Sequence, residues 1–110
     1  MAKGYGYLNI ESFQLHQYGL RRDSFESGRD IVVTVRVRAS AGPQQVSAEA
    51  YQWGVPVGIS GVQQVPPFDG SNRMVDVGLK VPTTESAPGA VLVLVRKDGG
   101  CAGSEAAYLR

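Results

Sequence analysis

Residues 30–39 read Asp-Ile-Val-Val-Thr-Val-Arg-Val-Arg-Ala, and this stretch decides the fold class. Ile31, Val33, Val35 and Val37 fall on one side of an extended chain, with Thr34, Arg36 and Arg38 on the other. A period of two built from β-branched residues is the mark of a half-buried antiparallel strand. Ala39–Pro43 (ASAGP) breaks the pattern. Working outward, the same alternation recurs at Val46–Trp53, at Val55–Ile59 beside Pro56, and at Val75–Val81. Ala90–Val95 reads AVLVLV and is apolar on both sides, and Ala106–Leu109 makes a last short strand. Towards the N-terminus, Leu8 and Ile10 alternate in one phase and Phe13 and Leu15 in the other. A slip of one residue within a strand predicts a β-bulge near Glu11 and Ser12.

Between these runs lie turn formers: Gly19, Asp23, Ser24 and Gly28, then Gly61 to Asn72, then Pro82 to Gly89, then Asp98 to Gly100. Phe25, inside the first of these connections, is expected to plug one end of the core. No stretch holds a 3.6-residue period over three turns. About seven short strands at such spacing predict an all-β, immunoglobulin-like antiparallel sandwich, with a small closed barrel as the alternative. With 110 residues and 43% apolar content, one core is expected, formed by residues 8–110. Residues 1–7 are expected to be an extended arm in which Gly4 and Gly6 alternate with Tyr5 and Tyr7.

The chemistry that the sequence offers is sparse. His16 is the single histidine and Cys101 the single cysteine, so neither a hydrolytic triad nor a zinc site has its residues. Both are expected to be chemically idle. Asp69, Asp76 and Glu85 lie near loops but in no calcium-loop spacing. The carboxylates have little concave surface to shelter them as a glycosidase pair. These observations predict a protein that is not an enzyme and takes no cofactor or metal. A net charge of +1 predicts no electrostatic attraction for nucleic acid, and no run reaches transmembrane length. The N-terminus has no signal-peptide core, so synthesis in the cytoplasm is expected, with a virion or another assembled particle as the final place.

Three features point to association instead. Tyr51 and Trp53 stand two apart at the end of one strand and share a face; they either close the core or form a platform for a sugar ring or a protein. Arg36 and Arg38 share the outer side of the clearest strand and are candidates for ion pairs between subunits. In Ala90–Val95 either the pair Val91–Val93 or the pair Leu92–Leu94 has no core to enter, and an uncovered apolar strip is an aggregation hazard. Val91, Val93 and Val95 are taken as the candidate interface set, with Tyr5 and Tyr7 of the arm as a possible cover.

The series LNIESFQL, FESGRDIVVTVRVRA, WGVPVG, MVDVGLKVP and PGAVLVLVRKDG resembles the carbohydrate-recognising β-sandwich attached to ABC transporters of O-antigen polysaccharide. The likeness runs over some ninety residues from Leu8 on. It implies the immunoglobulin-like fold and, as a second expectation, a glycan ligand. The leading expectation is a structural module that docks on itself or on a larger particle, as phage decoration and tail proteins do. The second is a carbohydrate-binding module using Tyr51 and Trp53.

Overall fold

The computed structural model describes residues 8–17, 20–21, 24–39, 44–65, 74–97 and 100–110, with backbone alone at 8–11, 20–21, 38–39 and 44. The expected arm, with Tyr5 and Tyr7, lies outside the described residues, as does the side chain of Arg38. The described chain is all-β. Its strands are β1 (Leu8–Gln17), β2 (Leu20–Arg21), β3 (Ser24–Phe25), β4 (Ile31–Ala39), β5 (Gln44–Gln52), β6 (Val55–Ile59), β7 (Gln63–Val65), β8 (Val75–Val81), β9 (Gly89–Lys97) and β10 (Gly100–Leu109). No helix among the described residues is long and apolar enough to cross a membrane.

The strands divide between two sheets. One has the order β2-β1-β4-β8; the other runs β3-β10-β9-β5-β6, with β7 also paired to β5. Ten strands thus replace the seven expected. The additions are mostly pieces of two or three residues, too short to show any period. Every pair is antiparallel except β3 with β10, which run parallel. That pairing carries the chain from the first sheet to the second within a few residues of β2.

Strand β4 lies between β1 and β8, so both its edges are bonded. Ile31, Val33, Val35 and Val37 are fully buried, as the alternation requires. The register of β1 on β4 slips between Ile10 and Ser12, where the phase change places the bulge. Phe25 is 1% exposed and packs into the same core as Leu15, Leu79, Val93 and Leu109.

Two buried glutamines fasten loops to this core. Gln17 donates from Nε2 to the Glu26 carbonyl at 3.0 Å and accepts the Glu26 N–H at 2.9 Å. Gln52 does the same to Ala87, donating to its carbonyl at 2.6 Å and accepting its N–H at 2.9 Å. Each amide satisfies itself and a loop peptide group that strand pairing leaves open.

Candidate functional site

The two outer faces of the molecule differ in chemistry. The register places Ser12, Gln14 and His16 of β1, Val32, Thr34 and Arg36 of β4, and Asp76 and Lys80 of β8 on the outside of the first sheet. This face is polar. Arg36 donates from Nε to Asp76 Oδ1 at 3.1 Å, an exposed ion pair within the chain. His16 Nε2 is hydrogen-bonded to Thr34 Oγ1 at 2.8 Å, and Cys101 donates its thiol to the Gly103 carbonyl at 3.7 Å. Among the described residues, no three metal-ligating side chains come together.

The outside of the six-stranded sheet joins an apolar and aromatic part around Tyr51, Leu92 and Ala106 to a polar one with Glu49, Arg96 and Ser104. One row across it runs Pro56, Tyr51, Leu92, Ala106; the next runs Ile59, Glu49, Leu94, Ser104. Ala90 stands opposite Tyr108 at one end. Val91, Val93 and Val95, taken from the sequence as the interface set, point the other way and are 3%, 0% and 0% exposed. Their place as an exposed interface is therefore corrected. With both phases of AVLVLV apolar, only the pairing of β9 with β5 and β10 decides which phase faces the core. It sends the valines in and leaves Leu92 and Leu94 outside.

Trp53 is the pivot of this face. Gln52 and Val55 are paired, so Trp53 and Gly54 alone form the hairpin loop. Their φ angles are 54° and 77°. Positive φ at both central residues is the type I′ pattern, which matches the twist of the flanking strands and favours Asn-Gly. Gly54 suits this conformation, while a tryptophan in the left-handed region is held against its own steric preference. The indole is also 95% exposed, so the reading in which Trp53 closes the core does not hold. The alternation of β5 ends one residue before it, and the turn turns the ring outward. Gln52, clasped to Ala87, fixes the base of the hairpin.

Trp53 is one wall of a groove of about 420 Å³ whose other lining includes Tyr51, Ala90, Leu92, Leu94 and Ala106. The Tyr51 hydroxyl donates to Glu49 Oε2 at 3.2 Å, and Arg96 donates from Nε to Glu49 Oε1. The Glu49 hydrogen bond, helped by Tyr51 and by the Glu49 charge, holds the Arg96 guanidinium above its ordinary range. A raised pKa on a base stabilises below the unfolded value and is lost only as pH climbs past the folded one. The Arg96 charge is therefore constant through the neutral range. The Tyr51 hydroxyl is tied to the same carboxylate. Tyr51, from the strand, and Trp53, from the turn, both line this groove. Leu92 and Leu94, the other apolar set of β9, line the groove in place of the valines, and Gln52 is the member the sequence did not single out.

No protein-family model and no curated protein matches the chain. Its fold is similar to part of the Pseudomonas fluorescens alkylpurine DNA glycosylase AlkC, solved bound to DNA containing an abasic site analog. The likeness has a TM-score of 0.59 at 15% identity, and covers 97% of this chain and 31% of that one. At that identity it speaks for the fold alone. Two exclusions drawn from the sequence are nevertheless withdrawn. The sequence reading ruled out an enzyme and ruled out nucleic acid as a partner, yet a protein containing this fold is an enzyme on DNA. A missing catalytic set and a net charge near zero describe only these 110 residues, and a fold that forms part of a longer protein escapes both tests.

Proposed function

We propose that the chain is an immunoglobulin-like docking domain that binds protein through the outer face of its six-stranded sheet. The fold part of this reading is supported by strand order. β1, β4 and β8 form one layer and β10, β9, β5 and β6 the other, while the first strand divides so that β3 joins β10. Two facing layers of this kind, with neighbouring strands drawn from distant parts of the chain, are the pattern of such sandwiches.

One observation carries the functional part: Trp53 is strained in its backbone and 95% exposed in its side chain. The strain costs stability and the exposed ring returns none to the fold, and residues of that kind are found where they meet a ligand. A protein surface fits better than a glycan. Apart from the indole N–H and the Tyr51 hydroxyl, which already donates to Glu49, the groove lining is hydrocarbon. A sugar would leave most of its hydroxyls unpaired there.

The test compares the wild type with Trp53→Asn, a change suited to the turn. In extracts of its own cells, the wild type should run in a complex larger than the free chain and the variant should not. In parallel, the emission of Trp53 is followed while glycans and single- and double-stranded DNA are added. A saturable response to a glycan or to DNA, with no loss of protein association in the variant, overturns the proposal.

A further inference from the structure

We propose that the occupant of this face is a second copy of the chain, an inference that rests on reading the face as the docking surface. The two copies meet about a two-fold axis, each Trp53 seated in the groove of the other. A two-fold interface must be complementary to itself, because the same patch serves both sides. This patch carries both halves of one contact. Trp53 projects from the hairpin with almost nothing of its own chain against the ring, and the groove bounded by Leu92, Leu94 and Ala106 lies open beside it.

The area is of the right size. Trp53, Ile59, Tyr108 and Leu92 are 95%, 59%, 56% and 43% exposed. At roughly 200 Å² for a large side chain, these four alone present about 500 Å². That already matches the largest apolar patch of a typical monomer, about 300–600 Å². Adding Tyr51, Leu94, Ala90 and Ala106 brings the face towards the ~800 Å² that each partner contributes to a stable interface. Charge does not oppose the pairing. Glu49 and Arg96, both on this face, neutralise one another, so two copies bring no like charges together there. The outer face of the other sheet is polar among its described side chains and carries the Arg36–Asp76 pair.

The experiment measures mass by sedimentation from roughly 1 μM to 1 mM, the range in which such an interface dissociates. It uses the wild type, Trp53→Asn (no indole, groove open), Ala106→Arg (indole present, groove blocked) and an equal mixture of the two. The wild-type mass should double with concentration, and the emission of Trp53, the one tryptophan, should shift to the blue over the same range. Each variant alone should dimerise at least tenfold more weakly. The mixture should recover part of the loss, since one indole then meets one open groove. A wild type that stays monomeric overturns the proposal and leaves the face to a different protein. A dimer that survives Trp53→Asn overturns this proposal, because association then uses another surface, while the docking reading is overturned only by its own test. A mixture no stronger than its components overturns the exchange of indoles.

Discussion

Replacing Trp53 with asparagine should make the isolated chain more stable. The hairpin holds this residue at a φ of 54°, beside Gly54 at 77°. An L-residue in the left-handed region costs about 1–2 kcal/mol, and asparagine bears it better than a bulky aromatic. Asn-Gly is the favoured pair for this turn. Against that gain stands little lost packing, since the indole is 95% exposed. The expected net change is a stabilisation of about 0.5–1 kcal/mol, about half of the steric cost. For a domain of this size that is a rise in melting temperature of about 2–5 °C. Thermal and urea unfolding, run dilute so that association adds nothing to the wild type, measure it directly. A buried aromatic truncated to a small residue loses about 3–5 kcal/mol instead. A loss of even 2 kcal/mol on Trp53→Asn would show that the ring packs within the fold and would refute the reasoning.

Further expectations follow from the same geometry. Val93→Ala, at a fully buried position of β9, should cost about 2 kcal/mol in urea unfolding, whereas Leu92→Ala next to it should cost under about 1. The reverse order would mean that the faces of β9 are exchanged. Gly58→Ala should destabilise by about 1–3 kcal/mol, because a Cβ there would stand 2.2 Å from the Pro82 carbonyl oxygen. A neutral outcome would show that β6 lies further from that loop. Gln52→Ala should leave the Ala87 peptide unpaired at a cost of about 1–3 kcal/mol. It should also speed hydrogen exchange at the Ala87 amide, and an unchanged rate there would remove the clasp. Glu49→Gln should free the Tyr51 ring, which a broadened Tyr51 resonance in NMR spectra would report; an unaltered ring would mean that packing alone holds it.

Much of the fold is legible in the sequence wherever one face is apolar and the other polar. DIVVTVRVRA allows a single orientation, and its four inward residues are all buried. The phase slip between Ile10 and Phe13 marks the bulge, since a change of side within a strand has few other structural causes. AVLVLV is different: with both phases apolar, local pattern holds no information about orientation, and long-range pairing settles it. β2, β3 and β7 are too short for any period, and the parallel match of β3 to β10 joins residues more than eighty apart. At the candidate site, Tyr51 is readable as an outward residue from the alternation of its strand. That Trp53 lies in a tight turn is not, because Trp-Gly is a weak signal where Asn-Gly is a strong one. The exclusions of an enzyme and of nucleic acid went too far for another reason: counts over a chain describe that chain, not a longer protein in which such a fold can sit.

The most direct measurement is the access of a neutral quencher, acrylamide, to Trp53 in dilute and in associated protein. With one tryptophan in the chain, the signal has a single source. In dilute solution quenching should approach that of a free tryptophan derivative, and on association it should fall several-fold. Shielding in the dilute chain would place Trp53 within the fold; full access in the associated state would place the docking surface elsewhere on the molecule.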